Sequence, residues 1–393
     1  MGIGINAQGI YSYANVSYFE FITDSSKFAF FYRIKLIPNP VYLDINVDKT
    51  PVNTPVSQLG IKYCIVSPNA NEVYNVNREN RTMSIDSFRE ECLAQYTVFS
   101  MSYAIGANSI TPAIVHCEVL SNADSIATLG FLNANTVDRP LTNAPFNGLL
   151  QVIRSNPTWR LAYIVMEFID DSITLYNGIR RSLKPESLQR CAIRPLLLSN
   201  MNRWALLISA EMSGLLHQDL HQENALFSHS QTGFFHDRDE RGRIVSVPSS
   251  IQIIDWGSCM KHPVLIAMIR QLFTDMRAHI SKHKDHFLQS VSTSIRNAET
   301  TRAIYNAFNV RIHAIFTEWL RVIYRGDYWP FQWVINLDAH RNDMGALTAI
   351  DSHAIMFYDR KYRNGKSLVT PDTFKSVVPA QDRQIMLAIS SLQ

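Results

Sequence analysis

Two short segments of this chain set oxygen-bearing side chains among apolar residues. Residues 215–227 read L-L-H-Q-D-L-H-Q-E-N-A-L-F, with Asp219 five positions before Asn224, and residues 251–257 read I-Q-I-I-D-W-G, with Asp255 closing an apolar run. Carboxylate and carboxamide oxygens are the donors a hard divalent cation takes, and a positioned carboxylate can accept a proton. The histidines offer a second chemistry. His217 and His221 lie four apart, with His229, His236, Asp237 and Asp239 downstream, a spacing zinc accepts on a helix. Against zinc, the D-L between the first two histidines reads as a loop beside a strand, and no cysteine joins the set.

Taken together, the two segments resemble the catalytic loop H-R-D-L-x-x-x-N and the metal-binding D-F-G of the protein-kinase-like superfamily, in the same order and with the same Asp-to-Asn step. The resemblance implies an ATP-dependent phosphotransferase that uses ATP and Mg2+, a divergent serine/threonine-type protein kinase. Phosphoryl transfer needs positioning and neutralisation of phosphate charge more than covalent help. By resemblance, Asp219 orients the acceptor hydroxyl and takes its proton, while Asn224 and Asp255 hold magnesium on the phosphates. Gly257 is expected to let the backbone turn tightly after Asp255, and His217 to brace the loop.

Upstream segments extend the resemblance. Residues 161–171, L-A-Y-I-V-M-E-F-I-D-D, resemble the strand and hinge that hold adenine. Met166 would back that pocket, and main-chain groups from Glu167 to Phe168 would pair with the base. Residues 88–95, F-R-E-E-C-L-A-Q, resemble the helix whose Glu pairs with a phosphate-gripping strand Lys, and the spacing to Gln95 selects Glu91 over Glu90. Lys62, in the apolar strand pattern 60–66, is the preferred lysine; Lys35 is the alternative. Choosing Lys62 leaves Lys27 to Ile37 as the preceding strand.

The pattern also departs from the family. Gly2, Gly4 and Gly9 do not stand in G-x-G-x-x-G order, Gln218 replaces the Arg that docks a phosphorylated activation loop, and no A-P-E follows Gly257. His221 for Lys and Trp256 for Phe are similar to aminoglycoside and choline kinase-like enzymes, which phosphorylate small molecules. The F-x-E-E-x-x-x-Q helix, the T-P-A-I of 111–114 and D-L-H-x-x-N are similar to divergent kinase-like proteins of large DNA viruses. The resemblance spans about residues 55–260 and leaves the acceptor open, a protein hydroxyl or a small molecule. A pseudokinase, binding nucleotide or serving as a scaffold, is the alternative on the same fold.

The elements that must position these groups follow from periodicity. Alternating or continuous apolar runs predict strands at Gly9–Tyr13, Lys27–Ile37, Gly60–Ser67, Ala113–Leu120 and Leu161–Phe168. A helix is predicted from its Ser84 cap to about Tyr103, with further helices over 195–216, 263–281, 298–324 and 343–358. The implied fold class is α+β and bilobal. A small antiparallel-sheet lobe with one main helix takes residues 1–168, with irregular insertions at about 38–58 and 121–158, and a larger helical lobe takes 169–393. The stretch 236–243 reads as an exposed charged turn, and the cluster Arg277, His279, Lys282, His283 and Lys284 as a solvated helix end.

A net charge of +3 gives no ground for nucleic acid or a membrane surface as partner. Five scattered cysteines argue for a reducing compartment, and no basic-then-apolar leader opens the chain. The expectation is a soluble, intracellular, cytoplasmic protein, or one of host cytoplasm or virion if viral.

Overall fold

Six consecutive buried residues, Leu161 to Met166, make the centre of the largest sheet. The computed structural model describes residues 16–23, 29–36, 41–47, 50–56, 58–69, 75–76, 79–80, 82–104, 110–135, 144–169, 172–174, 177, 205–220, 223–228, 235–238, 244–247, 250–282, 311–312, 314–315 and 317–318. Those residues form a mixed α+β structure with an antiparallel sheet and several helices. They fall into two compact units, the first within Met1–Tyr96 and Pro112–Ile169, the second within Thr97–Thr111 and Asp170–Ser376.

In the first unit, strands β1 (Val16–Thr23), β2 (Ala29–Leu36), β5 (Gln58–Ser67), β10 (Arg160–Glu167) and β9 (Ile114–Val119) lie side by side in the order β1-β2-β5-β10-β9. Each neighbouring pair is antiparallel, and β8 (Thr82–Ser84) joins β5 in parallel. Side chains alternate across a strand, so register sorts them by face. Tyr63 stands opposite Tyr163 and Ile61 opposite Val165. These residues join Tyr32, Ile34, Leu59 and Leu161 in one buried core. The other face of β5 carries Lys62 and Cys64, alternate to that core set.

Helix α1 (Ile85–Ala104) starts where the sequence predicts. Ser84 Oγ accepts the Ser87 N–H at 3.0 Å, satisfying one of the free amides of the first turn. The stretch 121–158, expected to be irregular, instead holds α2 (Asn122–Asn135) and α3 (Ala144–Ser155). Ser121 caps α2, accepting from Asp124 N at 3.1 Å and donating to its Oδ2 at 2.6 Å. Leu129 and Leu132 of α2 and Ile153 of α3 complete the sheet core. The other expected insertion contains the antiparallel hairpin of β3 (Val41–Val47) and β4 (Thr50–Val56). Strands β6 (Asn75–Val76) and β7 (Glu79–Asn80) pair as a further short ladder.

In the second unit, the helix over 205–213 ends at Gly214, whose φ of 71° is the left-handed geometry glycine takes without a Cβ penalty. Strands β11 (Ser172–Thr174), β12 (Ala225–Ser228) and β15 (Ser250–Ile253) form an antiparallel sheet. Strands β13 (Phe235–Arg238) and β14 (Ile244–Val247) pair between β12 and β15 in sequence, so the charged stretch expected as a turn begins inside a hairpin strand. A helix over Pro263–Lys282 follows, and Arg311 ion-pairs with its Asp275. Thr97–Thr111 belongs with this unit, and within it Ile253 N–H donates to Ile110 O at 2.6 Å. Among the described residues no helix is long and apolar enough to cross a membrane. The predicted strand at Gly9–Tyr13 and helix at 343–358 lie outside the described residues, as do Gly2, Gly4 and Gly9.

Candidate active site

Register brings Asn224 and Asp255 to neighbouring places. Ala225, the first residue of β12, pairs with Ile253, the last of β15, so the residues just outside the ladder meet next. Ile254 N–H donates to Asn224 O at 3.0 Å, which continues the pairing by one step and sets Asp255 immediately beyond it. Asn224 is buried, and its Nδ2 donates to Asp219 O at 2.8 Å. That bond fixes the amide plane, so Oδ1 is directed away from the Asp219 carbonyl with its lone pairs. Asp219 is exposed, one residue before buried Leu220.

Asp255 has φ 65° and ψ 67°, the left-handed region that disfavours residues with a Cβ by roughly 1–2 kcal/mol. Aspartate tolerates it better than most, and such strain persists only where surrounding contacts impose it. Gly257, expected to let the backbone turn tightly after Asp255, sits inside the 3-10 turn Trp256–Ser258, while the positive φ falls on Asp255 itself. The contacts that impose the strain are on both sides of Asp255. His217, 1% exposed, has Nε2 3.0 Å from Ile254 O; since a carbonyl only accepts, Nε2 carries the proton. The same imidazole packs edge-on against Trp256, ring centres 4.9 Å apart. Leu216 and Met260 exchange main-chain bonds of 2.7 and 3.0 Å, which closes the loop from its other end.

In the first unit, Lys62 of β5 and Glu91 of α1 form an ion pair. The Glu91 side chain is 1% exposed and that of Lys62 11%, so both partners are largely withdrawn from water. Gln95, one turn beyond Glu91, donates to Pro112 O at 3.0 Å and lies 3.9 Å from Met166 Sδ. Glu91, Gln95 and Met166 therefore share the sheet face that carries Lys62. Lys35, the alternative lysine, stands opposite Gln58 at the far end of β2.

Glu167 N–H donates to Ala113 O at 2.9 Å, and its side chain turns back to accept the Ala113 N–H at 3.3 Å. Withdrawal of that carboxyl from water raises its pKa to about 7, an effect the Ala113 bond only partly offsets. Phe168 lies under Arg33, whose guanidinium carbon is 5.4 Å from the ring centre, and Arg33 also pairs with Glu20 of β1. Glu20 and Arg33 were not picked out in the sequence; the cue was their alternation with the apolar residues of β1 and β2.

The predicted groups thus assemble as two sets: Lys62, Glu91, Met166, Glu167 and Phe168 in one unit, and Asp219, Asn224 and Asp255 in the other. Of the histidine set considered for zinc, His217 faces the Ile254 carbonyl, and His221, His229 and Asp239 lie outside the described residues. Among the described residues no group of three or more His, Cys, Asp or Glu could hold a metal ion. No family model matches the chain, and no curated protein matches it.

Proposed function

We propose that the chain is an ATP- and Mg2+-dependent phosphotransferase of bilobal protein-kinase-like fold, a divergent serine/threonine-type kinase. Lys62, oriented by Glu91, binds the α- and β-phosphates; Glu167 and Phe168 offer main-chain groups to adenine, with Met166 behind it. Asn224 and Asp255 hold magnesium, and Asp219 orients the acceptor hydroxyl and takes its proton.

The observation that carries this reading is the left-handed Asp255 held one step beyond Asn224. A carboxylate and a carboxamide on residues that main-chain pairing makes neighbours are donor types that suit a small hard cation keeping most of its waters and taking the rest of its ligands from phosphate. The magnesium, when bound, neutralises phosphate charge; the chain's own groups do the positioning.

Replacing Asp255 with Asn tests the assignment without disturbing the backbone, because Asn also accepts the left-handed region. In a thermal-shift titration, Asp255→Asn should unfold near the wild-type temperature but lose at least about tenfold of the Mg2+-dependent part of its ATP response, as expected when an anionic ligand becomes neutral. An unchanged Mg2+ response in the variant removes the metal role.

A further inference from the structure

We infer that Thr111 is a positioning residue for Asp255, acting through the indole of Trp256; this rests on the reading of Asp255 as a magnesium ligand. Thr111 and Trp256 are 145 residues apart, and both are fully buried. The indole Nε1–H points between two acceptors, Thr111 Oγ1 at 3.1 Å and Ile253 O at 3.2 Å. The residue before Thr111 accepts as well, Ile110 O taking the Ile253 N–H at 2.6 Å. The segment 110–111 therefore grips the turn on both sides of Asp255, at Ile253 by main chain and at Trp256 by side chain.

Phenylalanine at position 256 would keep a smaller aromatic ring against His217 but could not make this bond, since only the indole has a donor. Trp256 thereby gains a fixed ring orientation, and the residue before it is the one with positive φ. A strained conformation holds only while its neighbours over-determine it. Loss of the Thr111 acceptor leaves the indole one carbonyl and frees the ring to pivot. The carboxylate of Asp255 would then spend less of its time where a cation needs it, with no change in the groups that bind the nucleotide itself.

The test compares Thr111→Val, Thr111→Ser, Trp256→Phe and the Thr111→Val/Trp256→Phe double variant with the wild-type chain by calorimetric titration of ATP, once with Mg2+ and once with a chelator, beside the unfolding temperature of each. Thr111→Val should weaken Mg2+-dependent ATP binding about five- to tenfold, the range one buried hydrogen bond commands. Binding in chelator should stay near wild type, Thr111→Ser should retain the Mg2+ response, and Trp256→Phe should reproduce the loss. The double variant should lose no more than Trp256→Phe alone, because once the indole is gone Thr111→Val has no bond left to remove. Equal Mg2+ responses in wild type and Thr111→Val, or losses that add in the double variant, overturn the inference. Should Thr111→Val not fold, a Trp256→Phe protein with a wild-type Mg2+ response overturns it alone. A wild-type chain that binds no Mg2+–ATP removes the underlying metal reading, and the inference falls with it.

Discussion

At the scale of single residues, the Lys62–Glu91 pair shows how burial changes what an ion pair is worth. A surface pair contributes little, but a carboxylate 1% exposed has lost its water and depends on its partner. Lys62→Met should therefore cost about 3 kcal/mol in a denaturant melt, the range seen when one member of a buried pair is removed. Glu91→Leu added to Lys62→Met should recover part of that loss, since it removes the stranded charge. A Lys62→Met chain as stable as wild type would contradict the pairing. This pair was legible before the structure: Lys62 interrupts an apolar strand, and Glu91 stands four residues from Gln95 on one helix face. Asp255 was legible as a chemical group but not as a strained one. Gly257 drew the expectation of a tight turn, because glycine is the usual bearer of positive φ; the clamp by His217, Thr111 and Ile110 comes from residues far away in sequence.

At the scale of elements, β9 and β10 are tied at their ends by the double contact between Glu167 and Ala113. Burial of the Glu167 carboxyl makes stability here depend on pH, whereas the Ala113 bond itself favours the ionised form. Glu167 in the fold titrates at about 7, above the ordinary 4.5, so the folded chain holds a proton that the unfolded chain has released over this interval. Its contribution is present in full below about pH 4.5 and is lost as pH rises through about 7. Unfolding temperature should fall from pH 5 to 7.5 by more in wild type than in Glu167→Gln; parallel profiles would contradict this. The adjoining helices explain what the sequence concealed. On α2 the inward positions include Ser125 and Thr128, both buried, so its apolar stripe is broken and 121–158 reads as irregular. Ser125 is satisfied by accepting Leu161 N–H at 2.8 Å and donating to Ser121 O at 2.7 Å. Asn122 Nδ2 lies within 3.2 Å of three carbonyls, those of Ile153, Asn156 and Trp159. Polar residues thus do the packing work that apolar periodicity would have announced. Strands β5 and β10, by contrast, were legible because they are nearly continuous apolar runs, buried along most of their length.

At the scale of the whole molecule, the first unit holds the antiparallel sheet with its capped helix, and the second holds the short sheet beside which Asn224 and Asp255 lie. The sequence pointed to a sheet-rich front half followed by helices, and the described residues are a mixture of an antiparallel sheet and several helices. The bonds from Ile253 and Trp256 to Ile110 and Thr111 were not legible, because they join residues more than 140 positions apart. The most direct test of the central claim is transfer of labelled phosphate from γ-labelled ATP with Mg2+, to the chain itself or to offered hydroxyl acceptors, by wild type and by Asp219→Asn. The account predicts transfer by wild type and a loss of at least about a hundredfold in the variant, as removal of a general base brings. Labelling of equal extent in both, or none in either under any acceptor, would contradict it.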